Sequence, residues 1–240
     1  MRIGNISIKN FRSFRDVDVR LSPYTSLIGP NGGGKSTILC ALNIFFRETE
    51  NSPTDLCNLD AEDFHSRNID DPVEITVTFI DLNEAAQRDF ADYYRQGKLV
   101  ITAKAVFNKD TGVAPVKQFG QRNGMEAFKS FFEFYNDGKK VDELKAEYEG
   151  IRAQFPDLGK PGSKDAMWKA LRGYEESRPG ECKLLPSGDQ FYGFSKGENL
   201  LLRYVQWVYV PAVKDATKED IEGKSTALGL RRSPELTRFC

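Results

Sequence analysis

Histidine is almost missing from this 240-residue chain, which has only His65. Cysteine is sparse as well: Cys40, Cys57, Cys182 and Cys240 are scattered, and no two form a C-x-x-C pair. One histidine and four dispersed thiols argue against a zinc site and for reduced structural thiols rather than a disulfide framework. No run approaches the ~20 consecutive apolar residues of a membrane helix. The opening Met1-Arg2-Ile3-Gly4-Asn5-Ile6-Ser7 lacks the apolar stretch of a signal peptide. The expectation is a soluble, cytoplasmic protein with no membrane partner. Net charge is lacking too: 34 Lys and Arg against 35 Asp and Glu leave a formal charge of -1. Bulk electrostatics therefore gives no argument for nucleic acid, which would need a local patch or a further part of the protein.

What is present is enough apolar material, 40% of residues, for one globular domain or a domain carrying an insertion. Charge is unevenly spread. Residues 1–36 carry Arg2, Lys9, Arg12, Arg15, Arg20 and Lys35 against Asp16 and Asp18, while residues 48–92 are acidic from Glu48 to Asp92. The acidic stretch reads as solvated surface, and its cluster of Asp60, Glu62, Asp63 and His65 reads as a surface loop in preference to a metal site.

Periodicity supplies the elements. Ile6 and Ile8, then Val17, Val19 and Leu21, alternate with polar residues, which predicts two half-buried strands joined as a hairpin near residues 12–15. Thr25-Ser26-Leu27-Ile28 reads as a short strand stopping at Gly29. Residues 36–47 are apolar nearly all round, the pattern of a helix buried on most sides. Val73, Ile75, Val77 and Phe79 mark a strand, and Asp81 with Glu84 a capping-box-like start for a helix reaching about Arg95. Residues 98–107 form a strand to which residues 113–119 could pair back. Residues 125–176 turn rich in Lys, Glu, Phe and Tyr at helical spacing and read as a helical lobe. Residues 200–213 are nearly continuously apolar, and their far end suits a buried strand.

Gly29-Pro30-Asn31-Gly32-Gly33-Gly34-Lys35-Ser36 fills the pattern G-x-x-x-x-G-K-[ST]. Glycines let the backbone wrap a phosphate with its N–H groups turned inward, at angles other residues resist. The helix that follows adds free amides and its positive dipole end. Lys35 is the cation for β- and γ-phosphate oxygens, Ser36 the protein ligand to Mg²⁺, and Thr37 a donor on the α-phosphate side. ATP with Mg²⁺ is the expected ligand. Hydrolysis needs a second carboxylate on the metal and a group that orients water. Val77-Thr78-Phe79-Ile80-Asp81 ends in an acid, but its alternation marks an amphipathic strand rather than a central parallel one. Val208-Tyr209-Val210-Pro211 is apolar, but Asp215 follows too late. No Walker B strand and no catalytic residue is assigned. Phe194-Ser195-Lys196-Gly197-Glu198 reads as an ordinary polar turn in preference to an ATPase signature loop.

Ile6-Ser7-Ile8-Lys9-Asn10-Phe11-Arg12-Ser13-Phe14, ahead of a loop filled by Gly29, Asn31, Gly32, Gly34, Lys35, Ser36 and Thr37, resembles the opening of RecF- and SMC-type ATPase heads. Within that group the chain is most similar to the OLD (overcoming lysogenization defect) family, on Glu62-Asp63-Phe64 and on Tyr209-Val210-Pro211-Ala212-Val213-Lys214-Asp215. The resemblance implies an α/β P-loop NTPase fold, the N-terminal part of a RecF/SMC/ABC-like head, with an antiparallel β-subdomain and a helical insertion. It places Asn10, Phe11, Arg12 and Ser13 on the adenine side, so that Arg12 and Ser13 join residues 29–37 as nucleotide contacts. It also implies a homodimer, a C-terminal Toprim nuclease in intact relatives, and DNA processing or phage defence as the setting. The expected organisation is an N-terminal ATPase lobe over 1–124, a helical insertion over 125–180, a return to the ATPase core over 181–229 and an atypical tail over 230–240. The chain then reads as an N-terminal fragment that stops before Walker B and Toprim. The alternative is a P-loop nucleotide or small-molecule kinase, which would need an Arg-rich lid and an acidic strand end. A transporter-type ATPase subunit, the third reading, would carry its full signature and Walker B within this length.

Overall fold

Period-two alternation becomes pleat in the computed structural model, which describes residues 1–47, 55–190 and 200–210. Among the described residues seven strands form one sheet: β1 (Arg2–Phe11), β2 (Phe14–Arg20), β3 (Asn58–Leu59), β4 (Val73–Ile80), β5 (Leu99–Ala105), β6 (Ala114–Gly124) and β7 (Lys183–Gln190). Their order is β2-β1-β4-β5-β6-β3, with β7 also on β6, and every pairing is antiparallel. The expected hairpin is β1 with β2, Ile6 opposite Val19 and Ile8 opposite Val17. On β4, Val73, Ile75, Val77 and Phe79 are buried while Glu74, Thr76 and Thr78 are only half-buried, so one face of the sheet is core and the other meets water.

Against the core face lies α1 (Lys35–Phe46). Seven of its residues, from Ile38 to Phe45, are buried. The sheet covers one side, and residues 200–210 cover another: Trp207 stacks on Phe46, and its indole N–H donates to the buried Asn43 Oδ1 at 2.8 Å. Leu201 enters the same core, and Tyr204 packs edge-on against Phe90. At about 1.5–3 kcal/mol for each large apolar side chain fully buried, this helix contributes much of the lobe's stability.

A second apolar cluster belongs to α3 (Lys129–Asn136), α4 (Val141–Gln154) and α5 (Lys164–Ser177), which meet through Phe128, Phe131, Leu144, Tyr148 and Leu171. Pro156, Gly159, Pro161 and Gly162 lie between α4 and α5, where they end one helix and free the chain to reverse. Among the described residues, no helix is long and apolar enough to cross a membrane.

Three sequence expectations change. Residues 25–28 pair with no strand among the described residues, and Ile28 is 93% exposed. A short apolar run becomes a strand only where a neighbour supplies ladder hydrogen bonds, and no described strand does so here. The helix after β4 begins later and is shorter: α2 (Glu84–Asp89) is capped by Asn83, whose side chain accepts from the Ala86 amide, whereas Asp81 sits at φ +56° and pairs with Arg2. At the far end of the 200–213 run, residues 205–210 follow a 3₁₀ turn (Leu200–Arg203) as irregular chain rather than strand, with Trp207 docked on α1, while residues 211–213 lie outside the described residues. The expected turn at 194–198, the run 211–215 and the tail 230–240 lie outside the described residues.

Candidate nucleotide-binding site

The site starts from a helix end without a cap. Gly34 holds the N-cap of α1 at φ +85°, no side chain caps the helix, and its first turn has no acidic residue. The first intrahelical bond reaches back only from the Ile38 amide to the Gly34 carbonyl, at 3.1 Å. The amides of Lys35, Ser36 and Thr37 thus point out of a 12-residue helix with its positive end uncompensated. That is a fit for a phosphate, which accepts several backbone N–H bonds at once. Ahead of the helix, the Gly33 amide donates to the Pro30 carbonyl at 3.1 Å and curls the loop, and Gly32 takes φ +82°.

Lys35 folds into this curl. Its Nζ donates to the Gly29 and Pro30 carbonyls, both at 2.7 Å, so the ammonium is held where loop and helix meet. Ser36 is exposed beside it and carries an oxygen suited to Mg²⁺.

The β1–β2 turn closes over the start of α1. Ser13 Oγ and Thr37 Oγ1 share a hydrogen bond of 3.0 Å. The ring of Phe14 packs on Gly34 so closely that a Cβ there would stand 2.3 Å from Phe14 Cζ. Left-handed strain of about 1–2 kcal/mol and overpacking of about 1–3 kcal/mol then act together, so Gly34→Ala is expected to cost about 2–5 kcal/mol in chemical denaturation. Gly32→Ala, also left-handed but with open space around it, should cost only about 1–2 kcal/mol.

Of the expected contacts, residues 29–37 and Ser13 converge. Arg12 does not reach the loop by any described bond: its Nε donates to Asp63 Oδ1 at 2.9 Å and its Nη2 pairs with the same oxygen. The acidic cluster around it changes meaning. Asp63 is 6% exposed and engaged by Arg12, so it is no surface-loop residue. Among the described residues, no group of three or more His, Cys, Asp or Glu is arranged to hold a metal. Asp63, His65 and Phe14 escaped the sequence reading of the site. The available signal was the apolar Phe64 between them, which hinted that this acidic stretch was anchored in the core.

Asp81, the acidic strand end weighed for the metal, stands beside Arg2 at the start of β1, whereas the turn that meets the P-loop stands at its far end. At ~3.4 Å per residue those ends are separated by roughly 30 Å, so Asp81 belongs to another part of the molecule.

A glycine-rich loop opening an uncapped helix that is packed on a sheet defines a P-loop nucleotide-binding protein. The profile described as AAA ATPase domain matches residues 1–232, and the chain belongs to that family. It is also similar to the OLD nuclease of Thermus scotoductus, 36% identical over 83 residues that cover 32% of this chain and 14% of that protein. The Old nuclease of Escherichia phage P2 is 30% identical over 118 residues, covering 48% of this chain and 19% of the relative. The matched segments thus span less than a fifth of either relative.

Proposed function

We propose that this chain is the ATP-binding N-terminal ATPase region of an OLD-type nuclease that works in DNA processing or phage defence, assembled as a homodimer in the cytoplasm. The observation that carries the ATP site is the uncapped start of α1 with Lys35 folded into the loop ahead of it. Within that reading the amides of Lys35, Ser36 and Thr37 cradle phosphates, Lys35 neutralises the β–γ region, Thr37 lies on the α-phosphate side with Ser13 bonded to it from the adenine side, and Ser36 holds Mg²⁺. Bound Mg²⁺ would offset phosphate charge during transfer to water. DNA enters only through similarity to proteins named nucleases, so it is a partner proposed for the intact assembly.

Among the described residues, the side-chain hydrogen bonds around the loop run from Lys35 to carbonyls and between the Thr37 and Ser13 hydroxyls, with no carboxylate among them. We therefore expect the purified chain to bind Mg²⁺–ATP with little turnover of its own. A steady-state ATPase assay beside equilibrium binding of a non-hydrolysable ATP analogue tests this. Robust turnover abolished by Lys35→Ala would overturn the division between binding and hydrolysis. Phosphate delivered to an acceptor other than water would replace the reading with a kinase.

A further inference from the structure

The 10–13 turn is held from behind by a segment with no expected part in nucleotide binding. Residues 60–71 grip it through six contacts. The Arg12 amide donates to the Asp63 carbonyl at 2.8 Å, and the Arg12 guanidinium pairs with the Asp63 carboxylate at 2.9 Å. His65 Nδ1 lies 2.8 Å from the Arg12 carbonyl; a carbonyl only accepts, so this nitrogen carries the proton. Asn10 Nδ2 donates to the Asn68 and Asp71 carbonyls at 2.8 and 2.7 Å, and Phe11 bridges Phe64. Asp63 is itself fixed, its second oxygen accepting from the Asp60 amide at 3.3 Å.

Both partners adopt left-handed backbone shapes that residues other than glycine and asparagine rarely take. Asn10 and Arg12 on the turn, and Ser66 and Arg67 on the gripping segment, all have φ between 47° and 56°. Non-glycine residues persist there only where surrounding contacts over-determine them, and such residues gather at functional sites. The turn so held is the one that puts Ser13 on Thr37 and Phe14 on Gly34.

We propose that Asp63 is a positioning residue of the nucleotide site: by anchoring Arg12 it holds the 10–13 turn in the strained shape that sets Ser13 against Thr37 at the phosphate cradle. This rests on the ATP-binding reading above. Asp63 acts through the turn and touches no ligand. The pair Arg12–Asp63 therefore gains a function apart from stability, and the sequence element Glu62-Asp63-Phe64 becomes the back wall of the ATP site.

A double-mutant cycle on affinity for a fluorescent, non-hydrolysable ATP analogue tests it in the full chain. Coupled neighbours show interaction energies that a purely structural residue lacks, so Asp63→Ala should weaken binding about tenfold in the native background and less than about twofold in Ser13→Ala. Asp63→Asn, which keeps an acceptor for Arg12 Nε, should restore most of the affinity. If Asp63→Ala does not fold, Arg12→Gln breaks the pair from its more exposed side and carries the same expectation. Lys35→Ala separates the two levels. If it binds the analogue as native does, the ATP site itself is wrong. If it abolishes binding while the Asp63 and Arg12 variants stay within about twofold of native, or add fully to Ser13→Ala, the site stands and the positioning role falls.

Discussion

Lys35→Ala is expected to weaken Mg²⁺–ATP binding by about 100-fold or more while leaving the fold intact. The lysine Nζ sits 2.7 Å from two loop carbonyls, so its charge is already inside the cradle and needs only to exchange those partners for phosphate oxygens. Two charge-assisted contacts at about 1.5–3 kcal/mol each correspond to a loss of between about 100-fold and 10,000-fold in affinity. The carbonyls left behind face open solvent, because Gly29 and Pro30 are exposed, and regain hydrogen bonds from water. Melting without ligand should therefore move by less than the equivalent of about 0.5 kcal/mol, as for surface substitutions in general.

Thermal shift gives an independent measure. A ligand present at 100 times its dissociation constant stabilises the native state by about 2.7 kcal/mol, and that increment should vanish in the variant. An affinity within a few-fold of native would remove the phosphate cradle from this loop. Lys35→Arg is a useful companion: it keeps the charge but replaces a compact ammonium with a broad planar fork, so partial binding is expected.

The parts of the site legible in the sequence were those set by local chemistry. The glycines, Lys35 and Ser36 act through backbone angles and a helix end, both written in consecutive residues. The hairpin and β4 were legible for the same reason, since one period-two pattern decides which face is buried. What escaped depended on contacts across the chain. Asp63 was read as part of a family motif and of a solvated acidic stretch, and its pairing with Arg12, 51 positions away, explains its burial. Residues 25–28 looked like a strand by composition, but a strand is a property of two partners. The far end of the 200–213 run misled in the same way over residues 205–210: its apolar composition suggested a strand, whereas Trp207, with Tyr204 just before it, turns sideways to cover α1 and α2. The start of α2 was placed two residues early, at Asp81, because Asn83 competes for the same cap and wins by accepting from the Ala86 amide.

Glu175→Ala should be the most destabilising single change outside the apolar cores, at about 3–5 kcal/mol. Glu175, on α5, is 1% exposed, and both its oxygens accept from Arg122 Nη1 on β6 at 2.9 Å. One of them also accepts from the Met125 amide at 2.9 Å. This carboxylate joins the sheet to the helical lobe. Removing it strands Arg122, which is pressed 3.9 Å from the Phe132 ring, in a region that also holds the buried Arg95 and the neighbouring Arg172. Burial pushes the Arg95 guanidinium down to about 10, with repulsion from Arg172 and Arg122 adding to the effect, so the region already carries more positive charge than it can easily hold. Arg172 donates to the carbonyls of Ala91 and Tyr94, which Arg95 also uses, so a shift of α5 would disturb all three.

The pH dependence has a defined sign. Burial pushes the Glu175 carboxyl above its ordinary value, and Arg122 opposes that shift without cancelling it. A carboxyl raised in the folded state binds its proton more tightly there than in the unfolded chain. Its contribution to stability is present in full below the ordinary carboxylate value and is lost as pH rises through the raised one. Native protein should show that loss in denaturant titrations, and Glu175→Gln should lack it. For a chain of this size, 3–5 kcal/mol corresponds to a melting shift on the order of 10 °C. The compensating experiment is Arg122→Met with Glu175→Leu, which fills similar volume without charge. Replacing a buried pair by apolar residues is often neutral, so the double variant should recover most of the loss. A single-variant cost below about 1 kcal/mol would mean that water reaches Arg122 freely and that the two lobes are joined by apolar contact alone.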